Sequence, residues 1–268
     1  MIARTAVVLA RGLGTRMRRD DDEVVPLDPV QARVASAGLK AMIPLAGRPF
    51  LDYVLSGLAD GGFARALLVV APEHDAIGSH YAHHPPTRLA IEYAVQAEPR
   101  GTADAVLAIE PLVERDAFVV VNGDNYYPVD VLETLRTSAA PCVVLFDREA
   151  LVREGNIPPE RVAAYAIVTI DADGYLASVE EKPDVLAPGR QAISMNCWRF
   201  GAPIFEACRA VPPSPRGELE LPRAVDYGIR RLGLRLRASV VERPVLDLSH
   251  RADVTRVAMR LRDIEPRP

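Results

Sequence analysis

The stretch VVLARGLGTRMRRDDDEVVP, residues 7–26, opens on a continuous apolar run and breaks into glycines at 12 and 14, followed by Thr15 and Arg16. Such a run reads as a strand buried on both faces. Glycines straight after it permit positive φ and close backbone approach, so successive N–H groups can line a concavity for anionic oxygen, and Arg16 adds a cation beside it. The pattern lacks the Gly-x-x-x-x-Gly-Lys-Ser/Thr of a P-loop and the third glycine of a dinucleotide fingerprint. A glycine pair also serves an ordinary strand-to-helix turn, so phosphate binding needs support from elsewhere in the chain.

Outward from this turn, apolar runs of strand length recur as ALLVVA (66–71), LAIEYAV (89–95), AFVVVNGD (117–124) and CVVLFD (142–147). Helical patterns lie between them. RPFLDYVLSGLADGG sets Leu51, Val54, Leu55 and Leu58 at i, i+3, i+4, i+7 and closes on glycines, and GTADAVLAIEPLV and PVDVLETLRTS follow suit. Alternation of this kind predicts an α/β layered domain with a mostly parallel sheet and helices on both faces. Ligands of such sheets sit outside the carboxyl ends of strands, which makes RGLGTRM and NGDNYY candidate loops on one rim. From about residue 150 the texture turns antiparallel. AAYAIVTIDADGYLASVEEKP reads as strand, turn and strand, ISMNCWRF as a strand, 218–232 as a helix, PVLDLS as a short strand, and Arg251 onward as a helix. The expected organisation is one domain over 1–268, with a nucleotide-binding half to about 150 and a small antiparallel β substrate-binding half from about 151. Residues 18–39 read as an inserted mobile loop holding a short helix opened by an Asp28 cap, and the tail IEPRP reads as frayed.

The 268 residues are 49% apolar and 25% charged with net charge −4, the profile of a soluble globular protein. No basic cluster interleaves with aromatics, which argues against a nucleic-acid partner. The consecutive apolar run before Arg11 is shorter than a signal segment's, and no run approaches the roughly 18 of a membrane span, so the expectation is cytoplasmic with no membrane partner. Cys142, Cys197 and Cys208 lack metal-ligand spacing and read as buried free thiols.

Further candidates come one at a time. Lys40, ahead of the LAGRP turn, is a compact charge able to neutralise a phosphate, or a solvated surface lysine. Gln96 ends a strand with an amide suited to a nucleobase edge, and Gly101 and Thr102 then open a helix. Asp124 in VVVNGDNYYP stands where a hard cation such as Mg²⁺ takes a carboxylate plus substrate phosphates, or caps a turn. Asp247, at the end of another apolar strand, offers a second oxygen. Glu181 and Lys182 in SVEEKPD suit an anionic second substrate, or a salt bridge on a sheet edge.

In order, LARGLGTRM, LKAMIPLAGRP, QAEPRGTADAV, NGDN, EEKP, SMNCWRF, RGELELPRAV and LDLSHRADV resemble the motifs of nucleotidylyltransferases that make nucleotide sugars from sugar 1-phosphates, over residues 3 to 262. The nearest in motif are glucose-1-phosphate thymidylyl- and uridylyltransferases. The resemblance implies a Rossmann-like sheet and a Mg²⁺-dependent in-line attack on the α-phosphorus of a nucleoside triphosphate. It also implies that Gly12, Gly14, Thr15 and Arg16 wrap the triphosphate, with Lys40 at the reacting centre and Arg16 on the departing pyrophosphate. Leu9, Arg11, Gln96, Gly101 and Thr102 surround the nucleotide, Asp124 and Asp247 hold Mg²⁺, and Glu181, Lys182 and Asn196 grip the sugar 1-phosphate. dTTP or UTP with glucose 1-phosphate is the favoured pair, with guanylyl or cytidylyl transfer to another phosphate as the alternative and a homo-oligomer left open.

Departures from that family's pattern are informative. Arg11 stands near the base where Gly or Ala is usual, Ala166 replaces a glycine, and DLSHRAD replaces a frequent D-x-G-T. Two rival classes are a glycosyltransferase of related fold, which needs an Asp-x-Asp pair where GDN has one acid, and a non-catalytic relative, against which the joint presence of Arg16, Lys40, Asp124 and Lys182 argues.

Overall fold

The computed structural model describes residues 2–19, 27–73, 75–113, 116–181 and 192–268. In chain order the strands are β1 (Thr5–Leu9), β2 (Pro44–Leu45), β3 (Arg48–Pro49), β4 (Arg65–Val70), β5 (Ala90–Val95), β6 (Phe118–Asn122), β7 (Asn125–Tyr126), β8 (Cys142–Asp147), β9 (Ala166–Ile170), β10 (Leu176–Glu180), β11 (Ala192–Phe200), β12 (Arg237–Val241) and β13 (Leu246–Asp247). The helices are α1 (Thr15–Arg18), α2 (Pro29–Ser36), α3 (Phe50–Asp60), α4 (Asp75–His83), α5 (Thr102–Leu107), α6 (Glu110–Val113), α7 (Val129–Thr137), α8 (Arg148–Arg153), α9 (Pro203–Ala210), α10 (Leu221–Leu232) and α11 (Arg251–Leu261). None of the described helices is long and apolar enough to cross a membrane.

Nine strands form one sheet in the order β10, β9, β11, β6, β1, β4, β5, with β8 beside β11 and β12 beside β8. Its first half is parallel, as the continuous apolar runs predict: β1 lies between β4 and β6, and β5 follows β4. β11 runs antiparallel to β6, β8 and β9, and β10 antiparallel to β9. The antiparallel portion expected after residue 150 is therefore continuous with the parallel part rather than a separate layer. β11 achieves this by changing partners along its length. Ile193 and Ser194 pair with β9, whereas Trp198, Arg199 and Phe200 pair with β6, and the register of β11 against β8 shifts between Ser194 and Trp198. Asn196 takes up the shift with φ 54°, the left-handed region an asparagine tolerates better than most residues.

Both faces of β1 are buried. Ala6 and Val8 pack in one core with Leu51, Leu55 and Leu58 of α3 and Val131 and Leu135 of α7. Val7 faces the other core, with Ala103 and Val106 of α5, Phe205 of α9 and Val225 of α10. The single helical pattern over GTADAVLAIEPLV is divided into α5 and α6, with Pro111 in the first turn of the second.

One expectation is met and one is corrected. Residues 27–39 carry the short helix expected behind the Asp28 cap, as α2. Asp28 Oδ1 accepts from the backbone N–H of Val30 (2.8 Å) and Gln31 (2.9 Å), and the Gln31 amide donates to the Pro44 carbonyl at 2.9 Å. Residues 20–26 of that stretch lie outside the described residues. The tail is docked rather than frayed. Pro266 and Pro268 are buried, the Thr87 N–H donates to the Pro268 carbonyl at 2.9 Å, and the Arg267 N–H donates to Ser56 Oγ at 3.0 Å. Prolines bury well where no N–H has to be satisfied.

Phe118, wholly buried at the start of β6, stacks on Phe205 with ring centroids 5.5 Å apart. Phe118→Ala should lower the unfolding free energy by about 3–5 kcal/mol in urea titration, with an unchanged m-value.

Candidate active site

The register of β1 builds the site. Leu9 pairs with Val69 on one side and Asn122 on the other, and Val70 pairs with Val95. The segments beginning at Ala10, Gln96 and Gly123 therefore leave the sheet side by side. Backbone bonds hold them there: Ala10 N–H to Val69 O (2.9 Å), Gln96 N–H to Val70 O (3.0 Å) and Gly123 N–H to Leu9 O (3.0 Å). A cleft of about 390 Å³ opens along this rim. It is lined by Leu9, Arg11, Gly12, Gly14, Thr15, Arg16, Lys40, Gln96, Gly101, Thr102 and Asp124, so the predicted nucleotide and catalytic residues share one space. Among the described residues the cleft's charged lining is Arg11, Arg16, Lys40 and Arg216 against Asp124 and Glu218, with Arg216 ion-paired to Glu218 and to Glu220 beside it, which leaves Arg11 and Arg16 as the surplus positive charge facing a polyanion.

Two glycines are needed by conformation. Gly14 has φ 60°, and a Cβ there would collide with the Gly38 carbonyl of the turn after α2. Gly101 has φ 117°, and a Cβ would come within 2.5 Å of the Leu219 carbonyl oxygen. That close approach joins two distant motifs. The Leu219 N–H donates to Arg100 O (2.7 Å), the Ala103 N–H to Leu219 O (2.8 Å) and the Leu221 N–H to Thr102 Oγ1 (2.8 Å), which carries Arg216 and Glu218 to the cleft. Thr102 thus has its oxygen engaged in anchoring α10. Gly12 is different: a Cβ there would meet only Lys40 Cε, at 3.9 Å, so this glycine keeps the cleft itself open.

At one end of the cleft the Gln96 amide nitrogen donates to Gly101 O (3.0 Å) and Asp104 Oδ2 (2.8 Å). Two acceptors around Nε2 fix the amide's orientation, and Oε1 has no hydrogen-bond partner among the described residues. At the other end Lys40 Nζ is paired with Asp124 Oδ2. Burial alone would depress the Lys40 ammonium, but the charge and hydrogen bond of Asp124 outweigh it and its pKa stands above the ordinary value. Lys40 is therefore a cation and not a base. Arg16 is exposed and has no ion-pair partner among the described residues.

Behind Asp124 lies a buried polar network. The Leu248 N–H donates to Asp124 O (2.8 Å), and β13 pairs with β7, which seats Asp247 opposite Asn125. Asp247 is 2% exposed. Its Oδ1 accepts from Asn125 Nδ2 (3.0 Å) and Ser249 Oγ (3.1 Å), and its Oδ2 is paired with Arg161, which also donates to Asp253 Oδ1 at 2.7 Å. Burial and then the Asp124 charge push the Asp247 carboxyl up to about 6, against the pull of Arg161. Asp124 thus fits a cation ligand, being half-buried at the cleft wall with Asp247's charge behind it. Asp247 itself has both oxygens occupied by protein donors. Arg251, at the start of α11, donates to Met17 O (3.1 Å) and Ser36 Oγ (3.0 Å) and so clamps α1 and α2 beside the cleft.

The predicted sugar-phosphate residues are less closely gathered. Glu181 lines a neighbouring cavity of about 540 Å³, which shares Arg216 with the first. Asn196 sits in the β11 bulge, where its Oδ1 accepts from the Trp198 indole N–H at 3.1 Å. Lys182 lies outside the described residues. Sequence reasoning gave no role to Arg161, Asp253 or Asn156, whose amide holds the Asp247 backbone at 2.7 and 2.8 Å. The quoted RGELEL and SHRAD stretches contained Arg216 and Asp253, the available signal for those two.

The nucleotidyl transferase family model matches residues 5–237. A UTP–glucose-1-phosphate uridylyltransferase of Haloferax volcanii is 30% identical over 261 residues, covering 96% of each chain. A glucose-1-phosphate thymidylyltransferase of Streptomyces antibioticus is 29% identical over 98% of this chain and 67% of its own. A UDP-glucose pyrophosphorylase solved with UDP-glucose superposes over 99% of this chain and 100% of that one with a TM-score of 0.74 at 17% identity, a likeness of fold.

Arg161 is the one described cation bonded to both Asp247 and Asp253. Arg161→Met should cost about 3–5 kcal/mol in urea unfolding, because it leaves buried carboxylates uncompensated. Adding Asp247→Asn should recover part of that loss in a double-mutant cycle.

Proposed function

We propose that this chain, which belongs to the nucleotidyl transferase family, joins a nucleoside triphosphate to a sugar 1-phosphate, giving a nucleoside diphosphate sugar and pyrophosphate. The preferred pair is UTP or dTTP with glucose 1-phosphate. The observation that carries the reading is the cleft's polarity, with an oriented amide acceptor at Gln96 at one end and Arg16, Lys40 and Asp124 at the other. An acceptor at Oε1 suits a base whose ring nitrogen bears hydrogen, as in uracil, thymine and guanine, and opposes the lone pair of cytosine N3 or adenine N1. The activities named for the Haloferax and Streptomyces relatives favour the pyrimidines among these.

The chemistry asks little of the protein beyond alignment and charge. An ionised phosphate oxygen of the sugar 1-phosphate attacks the α-phosphorus opposite the pyrophosphate. The new P–O bond forms as the bond to the bridging oxygen breaks, and pyrophosphate leaves with that electron pair. No proton moves in this step, so a protonated Lys40 is no handicap. Lys40 places positive charge on the transferring phosphoryl group, Arg16 on the departing pyrophosphate, and Arg216 reaches the boundary with the second cavity, where Glu181 would meet sugar hydroxyls. Asp124, backed by the charge of Asp247, would hold a magnesium ion, which would supply further positive charge to the phosphate oxygens.

Incubation of the protein with each nucleoside triphosphate, Mg²⁺ and a panel of sugar 1-phosphates should release pyrophosphate, read through pyrophosphatase, only when both substrates are present. Asp124→Asn should cut kcat by roughly 10²–10³-fold with an unchanged circular dichroism spectrum. Product formed only from an activated sugar donor and an acceptor would replace the reading with glycosyl transfer.

A further inference from the structure

We propose that Arg11 reads the nucleobase, donating to a ring carbonyl oxygen next to the N–H that Gln96 accepts. The inference rests on the nucleotidyl-transfer reading and concerns the choice of base within it. Arg11 leaves the sheet at the end of β1, yet its side chain belongs to the opposite wall. Its Nε donates to the Gln96 carbonyl at 2.6 Å and its Nη2 to the Ala97 carbonyl at 3.0 Å. Two bonds to consecutive backbone carbonyls pin the guanidinium plane, which a single contact would leave free to rotate. Arg11 is half-buried and lines the same cleft as Gln96.

A clamp between two loops needs only the two donors already spent. A guanidinium has five N–H bonds, and Nη1 has no acceptor among the described residues, so donors remain on the cleft wall. Because Arg11 is bonded to the main chain of Gln96 itself and both residues line one cleft, a base seated there can meet the remaining donors of one and Oε1 of the other. The pair forms an acceptor–donor couple whose complement is N–H next to C=O. Uracil and thymine present that edge at N3 and C4, and guanine at N1 and C6. Cytosine offers a lone pair to Gln96 and an amino group to Arg11, and adenine does the same, so each of those bases meets two mismatches.

The test is kcat/KM for UTP, dTTP and CTP with saturating glucose 1-phosphate in the unaltered protein, Arg11→Ala and Arg11→Gln. The unaltered protein should favour UTP and dTTP over CTP, and Arg11→Ala should shrink that ratio by roughly 10–100-fold, chiefly through KM. Loss of a mere clamp would weaken all three nucleotides alike. An unchanged ratio in Arg11→Ala therefore overturns the role while leaving the reaction standing. A preference for CTP in the unaltered protein overturns it too, and pyrophosphate release from no nucleotide overturns the reaction itself. Should Arg11→Ala fold poorly, dissociation constants for UTP and CTP measured calorimetrically on Arg11→Gln give the same ratio, with the same outcomes decisive.

Discussion

Everything at the site depends on where the parallel strands end. Because Leu9, Val70, Val95 and Asn122 stand at neighbouring register positions, three loops from distant parts of the chain start together on one rim. Side-chain chemistry is then assembled by short excursions from that rim instead of by long flexible segments. A slip of one residue in β1 would turn Val7 toward the wrong core and move Arg11 away from Gln96 at once.

Charge is organised in depth. In the exposed layer Arg16 is open to solvent, and Arg216 is exposed but ion-paired with Glu218 and Glu220. Beneath it Lys40 and Asp124 neutralise each other, and deeper still Asp247, Arg161 and Asp253 form a buried triad. Such a triad contributes little net stability after desolvation, yet it leaves few alternative positions for β13 and hence for the backbone that holds Asp124. The site residues are consequently placed before any substrate arrives, which is what electrostatic catalysis requires.

Much of this was legible in the one-dimensional pattern. The apolar runs located the parallel strands, and Asp28 announced α2 as its cap. Gln96 was recognisable as a strand-end amide ahead of a glycine. What stayed hidden was produced by contacts between residues far apart in sequence. Arg161 lies in a 3₁₀ turn and meets Asp247 across 86 positions, and no local pattern records that meeting. The enclosure of Asp247 comes from β13 pairing with β7, and two residues are too short a signal to reveal it. The tail IEPRP looked frayed because it is charged and proline-rich, but its two prolines are buried and its backbone is hydrogen-bonded to Ser56 of α3 and to Thr87 before β5. Asn196 entered through the resemblance of SMNCWRF to a family motif, and its left-handed backbone conformation supplies a further reason for an asparagine there.

The partner change along β11 bears on how the chain acquires its shape. β6 lies at the centre of the finished sheet, yet its outer neighbour begins some seventy residues later, after β8, β9 and β10 have been made. During synthesis the β1, β4, β5 and β6 unit has its strand neighbours while one flank of β6 is an open row of amides and carbonyls and the face later covered by α9 and α10 is bare. An unfinished edge of that kind recruits other chains. Pairing of residues 192–200 closes that edge, and chaperone dependence would be concentrated in the interval before it.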